Sequence, residues 1–140
     1  MKAFHFKLQK ILKLRRYREH ETEIELGRAM GELAAIEERV KKIAREKAAA
    51  AGGRFGAGKG AGEIITFDNY ILRLDRNKGL LLEAAAKQEL VVEKAREIYL
   101  EASRERKIID KLKERREAEC RKNSLREETK VLDDIRRVNT

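Results

Sequence analysis

No proline occurs anywhere in the 140 residues, and six of the nine glycines fall within residues 52–62. A proline in a helix interior costs about 3 kcal/mol, and glycine loses more backbone freedom on entering a helix than any other residue. A chain that gathers its helix breakers into one stretch, GGRFGAGKGAG, has room for one long helix before it and a longer one after it. The expected organisation is a helix over about 4–51, a Gly-rich turn at 52–62 and a helix over about 64–138, together forming one all-α coiled-coil domain.

Charged residues make up 42% of the chain, aromatics 5%, and tryptophan is absent, which leaves too little large apolar side chain for a compact core. Such a composition belongs either to disordered chains or to long helices and coiled coils. Periodicity separates the two. In the first helix Leu8, Leu12, Arg15, Glu19, Thr22, Leu26, Ala29, Leu33, Ile36, Val40, Ile43, Lys47 and Ala50 step by four and three without a break. Glu37, Glu38, Arg39, Lys41, Lys42 and Arg45 all fall off this stripe, which makes it the seam of a solvated helix. Phe67, Ile71, Leu74, Lys78, Leu81, Ala85, Gln88, Val92, Ala95, Tyr99 and Ala102 repeat the spacing in the second helix. Near residue 95 the apolar face drifts toward Ile98, Ile109 and Leu112, as at a stutter.

Folding about residue 57 sets Ile43 opposite Ile71, Val40 opposite Leu74, Leu33 opposite Leu81 and Ala29 opposite Ala85. The fold class expected is therefore a long antiparallel two-helix hairpin. At 1.5 Å per residue the second helix outruns the first by about 40 Å, so residues beyond roughly 110 form an overhang without a helical partner. Arg15, Glu19 and Thr22 are three polar seam positions in a row, and that stretch is expected to pack loosely or to meet a partner. Gly27 and Gly31, one turn apart inside the helix, read as a tolerated weakness or as a point of close approach.

The net charge of +9 is unevenly spread: residues 1–18 carry seven Lys or Arg and no acid. A hairpin would bring this segment beside the basic C-terminal stretch. Such a basic end reads as a solvated surface, as a site for nucleic acid or anionic lipid, or as a dock for an acidic protein surface. No compact nucleic-acid reading motif is present, and Leu8 and Leu12, which a membrane would need, belong to the seam. The basic, acid-free N-terminus lacks a secretory core and cleavage site and runs into the helical pattern, so it reads as mature protein. No apolar run reaches the roughly 18 residues of a membrane span.

Enzymatic motifs fail on inspection. Gly53 to Lys59 matches the first seven positions of a phosphate-binding loop, but Gly60 replaces the hydroxyl residue and no strand precedes it. His5 and His20 are too far apart along one helix to share a metal, and Cys120 is the only cysteine. Asp133 and Asp134 sit on the overhang, where nothing excludes water. No catalytic residue, cofactor or metal is expected; the chain reads as a binding protein.

The opening FHFKLQKILKLRRYRE, with Phe4, Phe6, Leu8, Leu12 and Arg15 in a Phe-x-Phe-x-Leu-x-x-x-Leu-x-x-Arg pattern, resembles the FliJ family of flagellar export proteins. FDNYILRLDRN, RERKIIDKLKERREAE and VLDDI are similar to that family's second helix, so the resemblance spans nearly the whole chain. It implies a non-enzymatic two-helix stalk similar to that of rotary ATPases. Its partners would be the hexameric flagellar export ATPase, the membrane export gate protein and export chaperones. The resemblance further implies a cytoplasmic protein of the motility apparatus, peripheral at the inner face of the membrane, with no nucleic acid bound. On this reading Lys7, Lys10, Arg15 and Arg16, with Lys111, Lys113, Arg115 and Arg116, dock on the ATPase. Tyr70 and Leu74 match the family's gate contact, and Asn77 and Leu81 take the next positions on the same face. The alternatives are the equivalent stalk of a virulence type III secretion system, or a basic coiled-coil scaffold for nucleic acid or anionic membrane.

Overall fold

The computed structural model describes residues 3–53 and 60–139. Two helices, α1 (Gln9–Gly53) and α2 (Ala61–Val138), pack against each other and no strand forms among the described residues. The chain is an all-α hairpin. Residues 54–59, which include most of the phosphate-loop-like stretch and the middle of the glycine cluster, lie outside the described residues.

Local chemistry accounts for α2 at both ends. The amides of Glu63 and Ile64 donate to the Gly60 carbonyl, and the Thr66 hydroxyl donates back to the Gly62 carbonyl. Glu63 lies in the first turn and Arg136 and Arg137 in the last, each on the end where the helix dipole favours its charge. The start of α1 has no such help. It carries no acid in its first turn, and its entry is set by the Gln9 amide donating to the Phe6 carbonyl at 3.2 Å. Helix therefore begins at Gln9, five residues later than the apolar pattern suggested. Residues 3–6 are not helical and residues 7–8 form the turn that leads into α1. Phe6 is buried, Phe4 is half-buried and stacks on it at 6.4 Å between ring centres, and His5 between them is exposed.

The chain divides into two compact units, a terminal one (Met1–Thr22 with Tyr99–Thr140) and a central one (Glu23–Ile98). Within the central unit Leu26, Ala29, Leu33, Ile36, Val40, Ile43, Lys47 and Ala50 of α1 are all buried or half-buried. So are Phe67, Ile71, Leu74, Lys78, Leu81, Ala85, Gln88, Val92 and Ala95 of α2. The four-three stripe is the packed face. Its register, however, is shifted from the expected one. The Gln88 side-chain amide donates to the Ala29 carbonyl at 3.0 Å, and Lys47 pairs with Asp75 at 2.7 Å. Partner numbers thus total 117 and 122, against the 114 expected from folding about residue 57. Two heptads along from Ala29 and Gln88, the same offset sets Ile43 level with Leu74, and both are buried. Small side chains explain the ambiguity: Ala29 and Ala85 bury little area, so several registers give acceptable layers.

Within the terminal unit Leu12 is fully buried and Thr22, Ala102 and Ser103 are nearly so. The α2 stripe does not drift toward Ile98, which is 42% exposed. It continues from Ala102 by four and three to Arg106, Ile109 and Lys113, and only then breaks step, through Glu117, Cys120 and Ser124. Two successive steps of four make an eleven-residue advance from Ile109 to Cys120, which is where the stutter lies. The stretch beyond 110 is not bare: the non-helical residues 3–8 share a groove with side chains from Leu112 to Leu132.

Gly27 and Gly31 are exposed in the central unit, and a Cβ built on either meets no atom within 4 Å. Close approach does not explain them in this unit. Gly27→Ala and Gly31→Ala are each expected to stabilise the helix by about 0.5–1 kcal/mol, read as a rise in Tm.

Candidate functional site

The terminal unit holds a polar cluster at the three seam positions where loose packing was expected. Arg106 projects from α2 into the seam, where its Nε donates to Glu19 Oε2 at 2.5 Å and a terminal nitrogen donates to Asp110 Oδ2 at 2.7 Å. Arg16 reaches Asp110 from α1 at 3.1 Å, and Arg15 pairs with Glu105. The Thr22 hydroxyl donates to the Glu19 carbonyl at 2.8 Å, so this buried group is satisfied within its own helix. Among the described residues no buried side-chain nitrogen or oxygen lacks a partner. The cluster is partly shielded from water: Glu19, Asp110 and Arg106 side chains keep only 18%, 23% and 26% of their exposure. Shielding lessens the solvent screening that keeps surface ion pairs at about 0–1 kcal/mol, at a desolvation cost that offsets part of the gain.

Protonation follows from this geometry. The hydrogen bonds that Arg106 donates to Glu19, then to Asp110, raise its guanidinium still further above its ordinary range, against the pull of burial. Asp110 is held below the usual carboxylate range, first by its hydrogen bond from Arg106 and then by Arg16, while partial burial opposes the shift. A carboxylate whose pKa is lower in the folded state contributes stability that is present above its unfolded pKa and lost as pH falls through the folded one. Below about pH 4 the unit loses the Asp110 contribution, and Asp110→Asn is expected to flatten the fall in Tm between neutral and acid pH.

The cluster changes what the proposed ATPase-docking residues offer. Arg15 and Arg16 are engaged across the helix pair, and Arg15 is half-buried. Lys7, Lys10, Lys111, Arg115 and Arg116 are exposed and Lys113 is half-buried. All eight lie in the terminal unit, whose sequence carries twenty basic and twelve acidic side chains, or +8 of the net +9. Lys7 and Arg116 also line the groove of about 1350 Å³ shared by residues 3–8 and the α2 face, together with Phe6, Leu112, Cys120 and Leu132.

In the central unit, the four residues of the expected gate contact have unequal access. Leu74 is 5% exposed and belongs to the helix–helix seam, and Leu81 is half-buried in the same stripe. Tyr70 is half-buried beside the seam with the Arg73 guanidinium 5.6 Å from its ring centre, and Asn77 is exposed. Tyr70 and Arg73 line a shallow hollow with Phe67, Thr66, Asn69 and Glu63. A stacked Tyr and Arg pair offers one flat, partly apolar surface with a charge at its edge.

Glu105, Arg106 and Asp110 were not among the residues singled out from the sequence. The signal was present: continuing the α2 stripe four residues past Ala102 lands on Arg106, a charge at a seam position. The register assumed from the glycine cluster placed Glu19 opposite Ala95 and so hid its ionic partner. Among the described residues, no group of three or more His, Cys, Asp or Glu is placed to hold a metal ion, and no helix is long and apolar enough to cross a membrane.

No curated protein and no solved structure matches the chain. The family model described as flagellar FliJ protein matches residues 4–139, and the chain belongs to that family.

Proposed function

We propose that this member of the flagellar FliJ family is a non-enzymatic stalk and chaperone-escort component that binds the hexameric export ATPase through its terminal unit. The family places the chain in the flagellar export apparatus. The observation that carries the finer reading is the concentration of +8 of the net charge in the unit built from both chain termini, with Lys7, Lys10, Lys111 and Arg115 exposed there. Exposed charges of one sign steer an oppositely charged partner and fix its orientation more than they add affinity. The bound chain would then sit at the inner face of the cytoplasmic membrane through its partners. The family match favours the flagellar setting over the equivalent virulence system and over a scaffold for nucleic acid or anionic membrane.

Lys10→Glu with Lys111→Glu is expected to weaken capture by the purified export ATPase about tenfold, a change of ~1.4 kcal/mol. Raising salt should weaken the wild type in the same direction, because exposed charges are screened over about 8 Å at physiological ionic strength. Unchanged capture by the double variant would remove the docking claim. Arg15 and Arg16 are poor choices for this test, since reversing either breaks an ion pair across the helices.

The export gate contact is proposed for the Tyr70 and Asn77 surface of early α2. Leu74 supports that surface from the seam. Tyr70→Ala is expected to lower binding to the gate protein with little change in Tm. Leu74→Ala should lower Tm, by about 2–5 kcal/mol of lost packing at most. A Tyr70→Ala chain that still binds the gate protein at full strength would move the contact elsewhere.

A further inference from the structure

A stripe that repeats every seven residues has a built-in degeneracy. Sliding α2 along α1 by one heptad again sets stripe against stripe, so apolar burial alone does not single out one alignment. In the terminal unit the slip has a specific penalty. With Glu19 level with Arg106, a one-heptad slip sets Glu19 against Tyr99 and Arg106 against Leu12, the one fully buried leucine. Glu19 would then face an apolar ring with no cation opposite, and Arg106 would keep only Asp110 of its own helix, in a seam that admits little water. The opposite slip would set Glu19 level with Lys113 but Arg106 against Leu26, and so also parts Arg106 from Glu19. Only the observed alignment pairs Glu19 with Arg106 and brings Arg16 of α1 to Asp110, which Arg106 already meets one turn along α2.

We infer that the Glu19–Arg106–Asp110 cluster is the register lock of the terminal unit, selecting the one heptad alignment that lays residues 3–8 along the Leu112–Leu132 face of α2. The cluster acts as a positioning device. Whatever binds the basic side chains of this unit meets them at spacings that the lock sets. Three features carry the inference. The polar run on α1 is matched by a polar run on α2, with no donor or acceptor among the described buried side chains left over. The small residues Thr22, Ala102 and Ser103, all nearly buried, adjoin the cluster and offer little apolar area to fix the alignment themselves. The groove of about 1350 Å³ forms between residues 3–8 and α2 residues 112–132, and a slip would displace one wall along the other.

The test separates alignment from stability. In the full chain with Cys120→Ser, spin labels at the exposed positions Glu21 and Glu114, which lie well out of step along the helix pair, report the α1–α2 alignment as a distance distribution. The wild-type cluster should give a single narrow distribution. Glu19→Leu with Arg106→Leu should add a second population displaced by up to about 10 Å, one heptad of helix rise. The Tm of this variant should hold or increase, because replacing a shielded ion pair with apolar side chains is often neutral or stabilising. Asp110 is not orphaned in the variant, since Arg16 still pairs with it. Arg106→Lys, which keeps a charge at the seam, should retain the single distribution. A double-leucine chain with unchanged helix content and the wild-type distribution would overturn the proposal. So would one that melts earlier without any second population, for that result assigns the cluster a stabilising role only.

Discussion

A helix in which two residues of every five are charged has only a narrow strip of surface that water does not want. Everything in this structure follows from joining two such strips. Each helix on its own is marginal, since helix propensity alone gives little stability to a chain this polar, and most of the stability of a surface helix comes from packing its apolar face. The strip is continuous because residues step by four and three without interruption over most of α1 and through α2 to Lys113. It is thin because alanine supplies much of it. Ala29, Ala85 and Ala102 are among the eight most buried apolar residues, and each contributes little area.

A thin strip fixes which face packs far better than it fixes which residue meets which. This is why the face was legible and the alignment was not. Leu8, all twelve α1 positions and all eleven α2 positions read from the four-three spacing are buried or half-buried. Their pairing was misjudged, because the only clue to it was the middle of the glycine cluster and small side chains permit several layers. The polar seam positions were visible too, but a charge in a seam looks like a weakness until its partner is known. The start of α1 was misplaced for a different reason. Leu8 was counted in the helical stripe and the helix was begun at residue 4, whereas residues 3–8 are not helical and Phe4 and Phe6 flank an exposed His5. The stutter moved from near residue 95 to the stretch between Ile109 and Cys120. That is where the neighbour of α2 in the terminal unit changes from a helix to the non-helical residues 3–8.

For the candidate site, the sequence showed which charges are present but not which are occupied. Arg15 and Arg16 looked equivalent to Lys7 and Lys10, yet the first two are engaged in holding the unit together and the second two face water. The same sorting applies in the central unit, where Leu74 is structural and Asn77 is exposed although both come from one short stretch of helix. Electrostatic recognition by such a protein rests on the remainder left after internal pairing, and that remainder is smaller and more localised than the formal charge suggests.

The terminal unit joins residues 3–22 to residues 99–139, so the parts made first have to wait for the parts made last. While a ribosome is still extending α2, Phe4, Phe6 and Leu12 have emerged without the surface that covers them. Long-range pairing of this kind is slow to nucleate, because the intervening chain must first be brought round. The Phe4 and Phe6 rings therefore stay open to other hydrophobic surfaces until the Leu112–Leu132 face of α2 has been made.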